Sequence, residues 1–149
     1  MDTTPLRAPL IIEYPFTRTV GPVLSAFFTG LREQMVLGIR RSDGSVLVPP
    51  VEYDPDTAAE LTELVEVGTS GEIITWAWEP TPDERQPLDR PFAWVQVRLD
   101  GADTPILHVL DVATIDEVAT GARVRIRWAE AREGSILDIA CFELEDGTP

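Results

Sequence analysis

Few residues in this chain are equipped for chemistry. His108 is the single histidine, Cys141 the single cysteine, and all 12 basic residues are arginine. Without lysine there is no Schiff base and no lysine general base. Ser25 or Ser135 with His108 and an aspartate makes a triad only on paper, because no Gly-x-Ser-x-Gly elbow exposes either serine. His108 lies in an apolar run from Pro105 to Leu110 and reads as a structural histidine, or as a group facing the mouth of a partner's site. Cys141 sits in Ile139-Ala140-Cys141-Phe142 and reads as buried and structural. One thiol makes neither an intramolecular disulfide nor a cysteine zinc site.

The remaining polar groups carry weaker signals. With 26 carboxylates, chance pairs are inevitable, so no glycosidase-type pair is inferred. Glu60, Glu63 and Glu66 read as a solvated face. Gly68 and Gly71 fit neither phosphate-binding fingerprint. Arg123, Arg125 and Arg127 alternate with Val124, Ile126 and Trp128, which puts three guanidinium groups on one strand face. That stripe either pairs with local carboxylates or meets a partner's acidic surface or a CoA phosphate. Trp76, Trp78, Trp94 and Trp128 are divided between core positions and interface anchors.

The chain has 149 residues and a formal net charge of −14, a surface that repels phosphate backbones and anionic lipid. Neither nucleic acid nor a membrane is an expected partner. No run approaches the roughly 20 apolar residues of a spanning helix, and no signal peptide is read at the N-terminus. The expected location is the cytoplasm.

Periodicity supplies the frame. Residues 1–16 form a proline-punctuated arm that packs on its own domain or on a partner. Val20, Val23, Leu24, Phe27, Phe28 and Leu31 recur at helical spacing, predicting an amphipathic helix over 17–34. That stripe packs inward or docks on another protein. Residues 35–51 read as a hairpin around an Asp43-Gly44 turn, and residues 52–63 as an acidic connector with a short helical turn near Ala58. From Leu64 onward the text is all-β: Val65 and Val67 lead to a turn at Gly68 and Gly71, and strands are read over 72–78, 92–99, 105–110, 123–128 and 135–142. Five strands, with a connector between the third and fourth, match a Greek-key OB fold. The expected organisation is an arm and helix over 1–34, a hairpin and connector over 35–63, an OB-fold domain over 64–145, and an acidic tail over 146–149.

In this order the chain resembles the rubredoxin-like zinc-ribbon plus OB-fold proteins associated with acyl-CoA metabolism. The likeness rests on Phe27-Phe28-Thr29-Gly30-Leu31 before Met35-Val36-Leu37, on Gly44, Val46 to Val48, Pro49-Pro50 and Pro55, and on Gly68 to Ile73, Pro91 to Val95, Asp100-Gly101 and Gly121 to Val124. The family's zinc-ligand cysteine positions hold Arg40, Asp43, Asp54 and Thr57, a set without thiolate or imidazole. The resemblance therefore implies a mainly β chain: a five-stranded OB-fold barrel preceded by an amphipathic helix and a degenerate, zinc-less ribbon hairpin. It implies a non-catalytic subunit of a thiolase-like or lipid-transfer-type aldolase, in a hetero-oligomer. Steroid side-chain degradation is the implied setting, with no cofactor of the chain's own and acyl-CoA as a ligand shared with the partner. The alternative is a stand-alone OB-fold module that binds acyl-CoA or another small ligand. On this reading the helix stripe meets the partner, and the partner braces a ribbon that has lost its metal.

Overall fold

The computed structural model describes Pro5 and residues 7–145, so the expected tail over 146–149 lies outside the described residues. The single α-helix among them, α1 (Gly21–Arg32), is shorter than the predicted 17–34. Pro22 stands in its first turn, where a missing N–H costs nothing. Val23, Phe27 and Leu31, four residues apart, stack on one face and are buried. The helix stops where Gln34 takes a positive φ of 63° and the Met35 N–H turns back to the Gly30 carbonyl at 2.9 Å. Arg132 donates to the Arg32 carbonyl at 2.9 Å, placing a cation at the negative end of the helix.

Three short strands follow: β1 (Val36–Arg40), β2 (Val46–Leu47) and β3 (Leu64–Val67). They form one antiparallel sheet in the order β2-β1-β3. Within the OB-fold domain expected from residue 64, the first strand, β3, pairs with β1, from Val36↔Val67 to Ile39↔Leu64, and so extends the small sheet and lies outside the closed barrel. β1 has a second edge whose N–H and C=O groups need partners, and β3 supplies them while burying Val67. The helical turn expected near Ala58 lies slightly earlier and is a single turn: the Ala58 N–H reaches the Asp54 carbonyl at 2.9 Å, an i→i+4 bond, and Ala58, with φ +58°, ends it.

The remaining strands, β4 (Ser70–Glu79), β5 (Phe92–Leu99), β6 (Ile106–Leu110), β7 (Arg123–Trp128) and β8 (Ile139–Leu144), close in the order β4-β5-β6-β8-β7. β4 serves two neighbours. Gly71 faces Leu99 of β5 and Val124 of β7, and a Cβ there would lie 2.3 Å from the Arg98 carbonyl oxygen. Only glycine permits that approach. A register shift between Ile73 and Thr75 then bends β4 around the core. β6 and β8 are parallel and meet at the one pair Leu110↔Phe142. Residues 136–138, expected as strand, instead form a 3-10 turn, Ile136–Asp138. Asp138 dictates this: buried, its carboxylate accepts the backbone N–H groups of Glu133, Gly134 and Ser135 at 2.8–3.2 Å. The connector between β6 and β7 carries a 3-10 turn, Ile115–Glu117.

One core runs through all of this. Phe27 and Leu31 of the helix, Val36, Val46 and Val67 of the small sheet, and Val95, Val97, Val124 and Phe142 of the barrel belong to a single buried cluster. Hydrogen bonds sew the two sheets together as well. The Asp103 carboxylate accepts the Val46 N–H at 2.8 Å, and the Thr104 hydroxyl accepts the Val48 N–H at 2.8 Å. A second, smaller cluster of Phe92, Val109 and Cys141 lies beneath Leu88 and Trp94 on the outside of the barrel.

Candidate functional site

The structure divides the helix stripe. Val23, Phe27 and Leu31 are covered by the chain's own core, and Leu24 and Phe28 are half-buried against it. Val20 alone is well exposed. The helix packs on β1, which follows it directly, and on the turn at Ile136, which lies far along the chain. As a docking face the stripe is thus reduced to Val20 with the open edges of Leu24 and Phe28.

The arginine stripe is also changed by its surroundings. Arg123 grips Asp100 with two bonds of 2.6 and 2.8 Å and lies 3.4 Å from Glu145. Arg125 donates to Glu143 at 2.8 Å. Arg127 donates to Asp111 at 2.7 Å and lies 3.5 Å from Glu143. Three guanidinium groups therefore face four carboxylates, so the stripe offers no net positive surface to a CoA phosphate. Hydrogen bonds from Arg123 hold Asp100 below the usual carboxylate range. At Asp111 burial pushes the pKa up, but bonds from Arg127 and Arg90 more than offset it, and the group stays ionised.

His108 and Cys141 are both buried. His108 is 8% exposed, lies edge-on to Phe142, and its Nδ1 is buried without a hydrogen-bond partner. Burial lowers its pKa, against a smaller opposite pull from the backbone of Ile136 and Val109, so the ring is neutral at physiological pH. Cys141 is fully buried, and burial pushes its thiol up to about 11. A thiol at that value is a poor nucleophile near neutrality.

At Arg40, Asp43, Asp54 and Thr57, where the resemblance would put cysteines, the side chains are already engaged. Arg40 donates to Glu63 at 2.9 Å and to the Gly44 carbonyl at 3.1 Å. Asp43 accepts the Ser45 N–H and hydroxyl at 2.9 and 2.6 Å. Asp54 is gripped by Arg41, and the Thr57 hydroxyl accepts the Ala59 N–H at 3.3 Å. Zinc does not fit this set. Among the described residues no three His, Cys, Asp or Glu side chains are grouped to hold a metal ion. No helix among them is long and apolar enough to cross a membrane.

What stands open is apolar, and sequence reasoning passed over most of it. Leu10, Ile11, Ile12, Tyr14 and Phe16 of the extended arm are all exposed by more than three-fifths. A second open strip runs from the helix to the barrel, through Val20, Ile136, Leu137 and Leu107. Beside it a groove of about 540 Å³ lies between Leu88 and Trp94 on one side and Leu107, Ile136 and Leu137 on the other. Leu137 was hidden from the sequence by its place in an apparent strand, where alternation assigned it a face rather than a turn. The arm's apolar content was legible, but the exposure of that content was not.

Residues 64–129, from the start of β3 to just beyond β7, match the family model described as the C-terminal OB-fold domain of ChsH2. Among curated proteins none matches this chain. Several solved chains share the fold, among them the following two. One is a protein of unknown function from the DUF35 family of Sulfolobus solfataricus. It is 22% identical, with a TM-score of 0.58 over 71% of this chain and 78% of that one. The other is the Ltp2-ChsH2(DUF35) aldolase. It is 15% identical, with a TM-score of 0.62 over 86% of this chain and 98% of the matched chain. The OB fold read from periodicity is the fold these comparisons find.

Proposed function

We propose that this chain is a non-catalytic subunit that docks, in the cytoplasm, on an acyl-CoA enzyme of thiolase fold, a lipid-transfer-type thiolase or retro-aldolase. The observation that carries the reading is the open arm from Leu10 to Phe16, five large apolar side chains that the chain leaves uncovered. A contiguous apolar segment of that kind marks a contact surface. The kind of partner is taken from the match to the ChsH2 OB-fold model and from the likeness to the Ltp2-ChsH2(DUF35) aldolase. Steroid side-chain degradation as the setting, and passage of a CoA thioester alongside the barrel, are carried into this proposal from the resemblance in the sequence. The hairpin is read as a ribbon that has exchanged its thiols for three charged groups and a hydroxyl.

The test is association. Mixing the purified chain with lipid-transfer-type thiolases and following mass by light scattering after gel filtration gives a hetero-oligomer on this reading. Two separate peaks with every such enzyme, at micromolar concentrations, overturn it.

A stand-alone ligand-binding module is the second reading, favoured by the groove beside Trp94 and Leu137. Calorimetry of the isolated chain with CoA thioesters separates the two. Tight binding without any partner supports the module, and heat only in the presence of the enzyme supports the subunit.

A further inference from the structure

The two turns of the hairpin unit face each other across one guanidinium group. The first turn spans residues 41–45 and the second residues 54–58. Arg41 Nε donates to Asp54 Oδ2 at 2.8 Å and Nη2 to Oδ1 at 3.0 Å, a two-pronged grip matched to the planar carboxylate. Nη2 also bonds Asp56, and Nη1 lies 3.6 Å from Asp43 of its own turn. Asp54 passes the constraint on, because Oδ1 accepts the N–H groups of Asp56 and Thr57 at 2.8 and 3.1 Å. Its side chain is only 2% exposed, yet the shielding comes from its immediate neighbours at the surface of the hairpin and not from depth in the core.

We propose that the Arg41–Asp54 pair, with Asp56 and Asp43 at its sides, is the internal brace of the hairpin unit, joining its two turns where the related ribbon would place a metal ion. The geometry supports this over metal binding. A cation at Asp54 would have to displace the guanidinium that grips both carboxylate oxygens. It would find Asp43 committed to Ser45 and Arg40 committed to Glu63. The brace also removes the need for a partner to hold the unit in shape, and it stands whether or not the docking proposal does. Lysine could not take the place of Arg41, since one ammonium cannot span two oxygens in a fixed fork.

Amide exchange of the full-length chain, followed by mass spectrometry after correction for intrinsic rates, tests this. Arg41→Met should speed exchange in peptides covering residues 40–62 by at least about tenfold, because it strands a shielded carboxylate. Barrel peptides should stay unchanged. Arg41→Lys should fall between wild type and Arg41→Met. Asp54→Asn keeps an acceptor for the Asp56 and Thr57 amides while removing the charge, and should also loosen residues 40–62 if Arg41→Met fails to fold. Chelator should leave the wild-type hairpin as protected as before. Unchanged exchange in these variants overturns the proposal. So does loosening spread evenly over hairpin and barrel, or stoichiometric zinc whose removal opens residues 40–62.

Discussion

Burial decides what the single histidine is for. A neutral imidazole with an unbonded Nδ1, set against Phe142, is a group the fold tolerates only in its uncharged form. Its pKa in the folded chain lies below the ordinary 6.5, whereas in the unfolded chain it returns to that value. The unfolded state therefore binds the proton more readily. The stabilising contribution is present above about pH 6.5 and is lost as the pH falls through the depressed value. Urea titrations from pH 7 down to pH 5 should show a midpoint that declines with acidity, and His108→Leu should flatten that decline. An equally steep decline in the variant would place the acid sensitivity elsewhere. Such a group was readable as structural from its place in an apolar run. The role of Arg41 was not, because Arg40 and Arg41 are adjacent and identical in sequence. Only the turn at Asp54 distinguishes the one that grips a buried carboxylate from the one that reaches Glu63.

At the level of elements, local pattern and tertiary context contribute unequally. The alternation of Arg123 to Trp128 and the apolar run from Phe92 to Leu99 carry their own strand signal, and both are strands of the barrel. Residues 64–67 carry the same signal but not the identity of their partner, which is set by the open edge of β1. The turn after Asp54 shows why the predicted helical turn stops after one bond. Asp54 accepts the N–H groups of Asp56 and Thr57 as a helix N-cap does, and the Ala58 N–H closes a single α-turn on the Asp54 carbonyl. The chain then leaves through Ala58 with φ +58°, a left-handed conformation that costs a residue with a Cβ roughly 1–2 kcal/mol and glycine nearly nothing. Glycine loses more freedom on folding, which takes back part of the gain. Ala58→Gly should still raise stability, by up to about 1 kcal/mol in a denaturant midpoint experiment. A destabilising Ala58→Gly would mean that the turn is not held in this conformation in solution.

For the molecule as a whole, the question is which surface is spent on folding and which is kept for something else. The helix stripe that periodicity singled out is mostly spent: Val23, Phe27 and Leu31 close the chain's own core. The arm is the reverse case. Leu10, Ile11, Ile12, Tyr14 and Phe16 bury little against the rest of the chain, so they add little to its stability in isolation. On a partner the same five side chains would exchange a large apolar area with water, and large apolar anchors dominate binding energy. Deletion of residues 1–16 should therefore leave the thermal midpoint of the isolated chain within about 2 °C of wild type. In the mixing experiment the same deletion should weaken association with the enzyme at least about tenfold, a loss of 1.4 kcal/mol that two or three anchors readily exceed. The two readouts separate the roles. A fall in the thermal midpoint would show that the arm packs on its own barrel in solution. An unchanged midpoint with unchanged association would move the contact to the strip through Val20, Ile136, Leu137 and Leu107, where Leu137→Asp would be the decisive variant.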